Sequence, residues 1–136
     1  MANSPVGAWH RLIEARDAGG LDDILADDVV FHSPVVHSPQ KGKQLAKMYL
    51  SAAIMVLGNS DFEYVREVVG ESDAVLEFTS ELNGVHINGV DMIHWNADGK
   101  IDDLKVMIRP LKAVNLLFEL MKKMLGQMGP GASVAS

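Results

Sequence analysis

The residues of this chain that can move a proton near neutral pH are sorted by their spacing. From Val85 onward, Val85, Ile87, Asp91, Ile93 and Trp95 share one parity, and His86, Asn88, Val90, Met92 and His94 share the other. A strand sends the two sets to opposite faces. One face is therefore apolar except for Asp91. A carboxylate on such a face must be protonated, paired or set on a cavity, because a bare buried charge is costly. Burial also raises a carboxyl pKa by a few units, which makes Asp91 a candidate acid, base or hydrogen-bond donor. The alternative is a core carboxylate bonded to a neighbouring side chain.

Other groups could assist it. Tyr49 falls on the apolar stripe of a helix, and a buried phenol needs a partner, for which Asp91 is available. The run HSPVVHSP, residues 32–39, holds His32 and His37. Either could act as base or orienter, since imidazole titrates near neutrality; solvated loop histidines are the other reading. Arg109, before Pro110, has the fork that grips a carboxylate, although pairing with Glu77 or Glu81 across the sheet uses it equally well. His86 and His94 share the mixed face with Glu77, Glu81, Lys105 and Arg109, where side chains are solvated or interfacial.

Several chemistries find no support. There are no cysteines, so disulfides, thiol catalysis and thiolate metal sites drop out together. No histidine–acid motif has metal-ligand spacing and no glycine-rich loop could cradle a phosphate, so neither metal nor cofactor is expected. The formal net charge is −6 with no basic run, which argues against nucleic acid and against an anionic membrane as partner. No apolar stretch approaches the ~20 residues of a membrane span, and the N-terminus lacks a signal-peptide pattern, so a cytoplasmic protein is expected. At 136 residues, 48% hydrophobic and 22% charged, the chain suits one globular domain with a real core.

The elements that must position Asp91 are legible in turn. Ser4 and Pro5 open a helix to Arg16, with Trp9, Leu12, Ile13 and Arg16 at helical spacing and Gly19–Gly20 ending it. A short helix, LDDILA, leads to the strand VVFHS, followed by a loop with Pro34 and Pro39. Lys43 to Leu57 form the central helix, whose stripe is Leu45, Met48, Tyr49, Ala52, Met55 and Val56. After GNSD come the strands FEYVREVVG and AVLEFTSEL, then an Asn83–Gly84 hairpin turn into the Asp91 strand. That strand ends at the turn Asn96–Gly99. A last strand carries Leu104, Val106 and Ile108 opposite Lys105, Met107 and Arg109. Pro110 then opens a final helix with an apolar stripe from Leu111 to Met128. Helices gathered on one side of a mostly antiparallel sheet make an α+β fold. Residues 1–128 are expected to form the domain and residues 129–136 a flexible tail.

The order of elements, with AGGLDDILADDVVFHSPV, GVDMIHWNADGKI and IRPLKAV, resembles the cone-shaped α+β fold of the nuclear transport factor 2 superfamily. Within it the chain most resembles SnoaL-like, polyketide-cyclase-like bacterial proteins and, more distantly, ketosteroid isomerases. The resemblance implies a curved, mostly antiparallel sheet wrapped on helices. It specifies the fold well and the reaction poorly, since this fold carries many chemistries and also binding modules.

Residue by residue, the resemblance places Asp91 where ketosteroid isomerases hold a protonated hydrogen-bond donor. Their general-base aspartate corresponds to Ser33 here, and their oxyanion tyrosine lies near Leu12. Limonene epoxide hydrolases, another branch, use an arginine and two aspartates that have no counterpart; the matching point in the last strand is near Val106. The resemblance also turns Phe31 and Ser33 into the cone and His32 away from it. The expected ligand site is an apolar cone lined by Trp9, Leu12, Phe31, Ser33, Phe78, Ile93, Trp95, Val106 and Ile108, with Asp91, Tyr49 and His37 as catalytic candidates. Such a site suits an apolar carbonyl compound handled by an isomerase, cyclase or hydrolase. A non-catalytic binding or interaction module is the alternative. A homodimer through the mixed face of the sheet is expected.

Overall fold

The computed structural model of the chain describes residues 4–59 and 61–128, so the expected tail at 129–136 lies outside the described residues. Helix α1 (Val6–Ala15), a 3-10 turn (Ala18–Gly20) and α2 (Leu21–Ile24) lead into β1 (Leu25–His32) and a two-residue β2 (Gln40–Lys41). Helix α3 (Lys43–Leu57) follows, then β3 (Glu63–Val69), β4 (Asp73–Leu82), β5 (Val85–Trp95), β6 (Ile101–Arg109) and α4 (Leu111–Met128). The six strands form one sheet in the order β2-β1-β6-β5-β4-β3, with β1 and β6 parallel and all other neighbours antiparallel. The expected α+β architecture is the one observed.

The sheet is two-sided in the way its alternation demands. Along β5, Ile87, Gly89, Asp91, Ile93 and Trp95 are buried, while Met92 is exposed and His94 half-buried. Beside it, Ala74, Leu76, Phe78 and Ser80 of β4 are buried on the same face. The buried parts of α1, α3 and α4 cover that face and complete the core. Register shifts interrupt the β1–β6, β3–β4 and β5–β6 ladders. Extra residues of this kind bend and twist the strands they interrupt, which lets the sheet wrap around its helices.

Several boundaries differ from the sequence expectation, each for a local reason. The first helix ends at Arg16, which adopts a left-handed conformation (φ 54°), with Asp17 N–H bonded back to the Leu12 carbonyl at 3.0 Å. Gly19 and Gly20 lie beyond that end, in a turn capped by the Asp17 carboxylate. The helix expected over LDDILA stops at Ile24, and the strand starts at Leu25 because Leu25 pairs with Ile101 of β6. The Pro34–Pro39 loop runs into a short β2, where Gln40 and Lys41 pair with Phe31 and Val30. At Asn83 and Gly84, φ values of 49° and 78° give the left-handed turn expected there. Among the described residues no helix is long and apolar enough to cross a membrane.

Candidate functional site

Inside the cone lies an apolar cavity of about 50 Å³. Helix α1 contributes Trp9 and Ile13, which lie one turn apart, and α3 contributes Leu50, Ala53, Ile54 and Leu57 at helical spacing. The sheet supplies Phe31, Phe78, Asp91 and Val106, the end of β1 adds Ser33 and Pro34, and α4 closes the space with Leu117 and Met121. A water needs ~10–15 Å³ of such space, so the resting cavity holds a few waters or a small fragment. A larger ligand requires its walls to move.

Asp91 is the ionisable group of that lining, and it is only 5% exposed. Its Oδ2 accepts a hydrogen bond from the Tyr64 hydroxyl at 2.6 Å, and the Tyr64 oxygen in turn accepts from the Trp9 indole N–H at 2.9 Å. Burial pushes the Asp91 carboxyl up to about 6, while the Tyr64 and Trp9 donors and the nearby charge of His10 hold it down. The two donors keep the shift moderate. Burial and the Asp91 charge push the Tyr64 phenol well above its ordinary value, so it stays a donor.

Tyr64 is itself held from several sides. The rings of His10 and Phe62 stand edge-on to it at 4.9 and 5.1 Å, and Phe78 stands edge-on at 6.3 Å. His10 also pairs with Glu67, tying α1 to the edge strand β3. Phe78 stacks on Phe62 and passes over Gly89, where an added Cβ would come within 2.5 Å of its ring. The absence of a side chain at Gly89 is what lets Phe78 form this wall.

Of the sequence candidates, Asp91, Trp9, Phe31, Ser33, Phe78 and Val106 meet at the cavity. The others do not reach it. Leu12 is buried but turned toward the Gly19–Gly20 corner, where its Cδ1 comes within 3.2 Å of a Cβ built at Gly20. Ile93 and Trp95 are buried on the Asp91 face, and half-buried Ile108 stands opposite Gly89. Residues two apart on one face of a strand are ~6.6 Å from each other, so they need not line the same part of the space. The Trp95 indole N–H is buried with no hydrogen-bond partner among the described residues. Tyr49 is buried on α3, outside the lining, and the phenol that bonds Asp91 belongs to Tyr64. His37 is exposed on the loop after β1, and His32 points away from the cone to Asp103 at 3.1 Å.

The outer face absorbs the remaining polar candidates. Arg109 Nε donates to Asn88 Oδ1 at 2.9 Å, and Asn88 Nδ2 donates to Glu77 Oε2 at 3.0 Å. Arg66 grips the other Glu77 oxygen at 2.8 Å, and the Asn88 and Arg66 bonds hold the Glu77 carboxyl below its ordinary value. Arg109 therefore reaches Glu77 by hydrogen bonds through Asn88 and by its charge directly. His86 pairs with Glu81 at 3.2 Å and His94 with Asp102 at 2.5 Å.

Sequence reasoning missed Tyr64, although Phe62 and Tyr64 share a parity that could have marked an aromatic inner face. The obstacle is the register shift between Tyr64 and Arg66. Strict alternation puts those two residues on one face; the bulge turns Tyr64 inward, opposite Phe78, and Arg66 outward to Glu77.

Comparison with known proteins agrees with this architecture. A steroid delta-isomerase from Pseudomonas aeruginosa is 35% identical, with a TM-score of 0.86 over 90% of both chains. A protein from Jannaschia sp. described as a SnoaL-like polyketide cyclase superposes with a TM-score of 0.64 at 13% identity, over 85% of this chain and 94% of that one. An NTF2-like protein of unknown function from Mesorhizobium loti gives a TM-score of 0.67 at 16% identity, over 77% and 88% of the two chains. The last two likenesses bear on the fold alone. No match was found among curated protein sequences. The SnoaL-like domain family matches residues 6–104, which places the chain in that family: it is a SnoaL-like protein with an NTF2-like fold.

Proposed function

We propose that the protein is a cofactor-independent enzyme that shifts a proton on an apolar carbonyl compound, with Asp91 as its acid–base group. The observation that carries this reading is one buried carboxylate in an otherwise apolar cavity, its carboxyl pushed up by burial. At neutral pH its carboxylate takes a proton from the carbon beside the carbonyl. The C–H electron pair moves into the carbonyl as an enolate, and the same carboxyl returns the proton to another carbon of the conjugated system. No group is consumed and no oxidant is needed. Ser33, the hydroxyl on the lining, is the donor available to the developing oxyanion. The 35% identity with a steroid delta-isomerase supports an isomerase-type or cyclase-type proton shift.

A second reading is a ligand-binding module on the same fold. It is favoured by Ser33 and Leu12, which stand where the resemblance calls for a base and an oxyanion tyrosine. On either reading we propose a homodimer through the outer sheet face, where Val68, Met92 and Met107 are exposed.

Asp91→Asn, nearly isosteric, separates the two readings in an absorbance assay with β,γ-unsaturated ketones, steroidal and smaller. A loss of ~10²-fold or more in kcat/KM supports the enzyme reading. Turnover that survives the change removes Asp91 from catalysis. Saturable binding of the ketones by both forms, with turnover by neither, leaves the binding module.

A further inference from the structure

We propose that Trp9 and Tyr64 are positioning residues that form a one-way hydrogen-bond relay into Asp91, committing Oδ2 to the protein and leaving Oδ1 to meet the bound molecule. The inference rests on the reading of Asp91 as the group that meets the substrate.

The direction of the relay follows from which groups can give a proton. An indole nitrogen only donates. In the 2.9 Å contact between Trp9 Nε1 and the Tyr64 oxygen, the phenol is therefore the acceptor. The phenol's single proton then lies along the 2.6 Å line to Asp91 Oδ2. Both donors push charge stabilisation toward the carboxylate, and neither can take its proton away. When Asp91 accepts a proton, that proton goes to Oδ1 and is handed back from the same oxygen.

The relay also fixes geometry. Tyr64 reaches Asp91 from β3 across the intervening strand β4, and Trp9 reaches Tyr64 from α1. The edge-on rings of His10, Phe62 and Phe78 stop the phenol from swinging out of line. The charged groups facing this network are His10 from α1 and Glu67 from β3, and these two are paired with each other. The strand neighbours of Asp91, Leu76 and Val106, are apolar. A carboxylate so held presents one oxygen in one direction, which a purely packed core acid does not require.

The test follows the Asp91 carboxyl directly, by carbon-13 NMR of the full chain with labelled aspartate across a pH titration. Tyr64→Phe is expected to raise the Asp91 midpoint by about one unit or more, and Trp9→Phe to raise it by less, because the indole is the weaker of the two donors acting on the carboxyl. Replacing Tyr64 with 3-fluorotyrosine keeps the ring and sharpens the donor, so the midpoint is expected to fall. That variant still reports if Tyr64→Phe does not fold. A midpoint that moves in neither Tyr64 variant overturns the relay. Because the readout needs no substrate, it separates the two ideas: shifted midpoints with full turnover by Asp91→Asn keep the relay and discard the catalytic role, whereas unmoved midpoints with turnover lost discard the relay alone.

Discussion

Tyr64 on β3 donates to Oδ2 of Asp91 on β5 at 2.6 Å, across the full width of β4. The contact holds the Asp91 carboxyl down, but burial raises it further and sets how the protein responds to pH. Asp91 titrates at about 6 when folded against an ordinary 3.8, so the folded state holds its proton more tightly than the unfolded chain. The stability this group contributes is full below the unfolded value and is lost as pH rises through the folded one. Asp91→Asn cannot ionise. Its stability relative to the native chain should climb between about pH 4 and about pH 7, by about 3 kcal/mol at most, in urea unfolding across that range. A difference that stays flat with pH would show that Asp91 is not buried as a charge.

Gly89 should tolerate no side chain. A Cβ there meets Phe78 Cζ at 2.5 Å and the Met107 carbonyl oxygen at 2.8 Å. Gly89→Ala is expected to destabilise the fold by about 1–3 kcal/mol and to press the Phe78 ring into the cavity. Adding Phe78→Leu should recover part of that loss, and only part, because the carbonyl belongs to the backbone. Thermal unfolding of the single and double variants measures both effects.

Met121 lines the cavity from α4. It is 2% exposed and lines the space beside Leu117. Met121→Ala should cost about 2–5 kcal/mol and open room for a bulkier ligand. Calorimetric titration with cyclic ketones of increasing size should show the variant accepting members that the native chain binds weakly. Equal size limits in both would place the flexible wall elsewhere.

Met92 lies at the centre of the proposed dimer face. It is 40% exposed and sits in a row with Val75 on β4 and Lys105 on β6. Met92→Glu should convert a dimer into a monomer with an intact fold, read by light scattering and circular dichroism. A native chain that scatters as a monomer would refute the dimer outright.

Much of this protein is legible in its amino-acid order alone. Period-two alternation places Asp91 on the buried face of its strand, the Asn83–Gly84 turn announces the hairpin before it, and Lys43–Leu57 is readable as a helix to the residue. These are local properties, carried by residues within a few positions of one another. What Asp91 touches is not local. Tyr49 is the partner that helical periodicity suggests, because its stripe is apolar. Tyr64, 27 residues before Asp91, becomes the real one through strand order and a bulge, and Trp9, 55 residues before Tyr64, joins from another element. Likewise, parity puts Ile93, Trp95 and Ile108 on the cavity's face, but only packing decides that the open space ends near Asp91 and Val106. Side-chain period specifies a face; register, bulges and helix docking specify a partner, and those are settled only when distant segments meet.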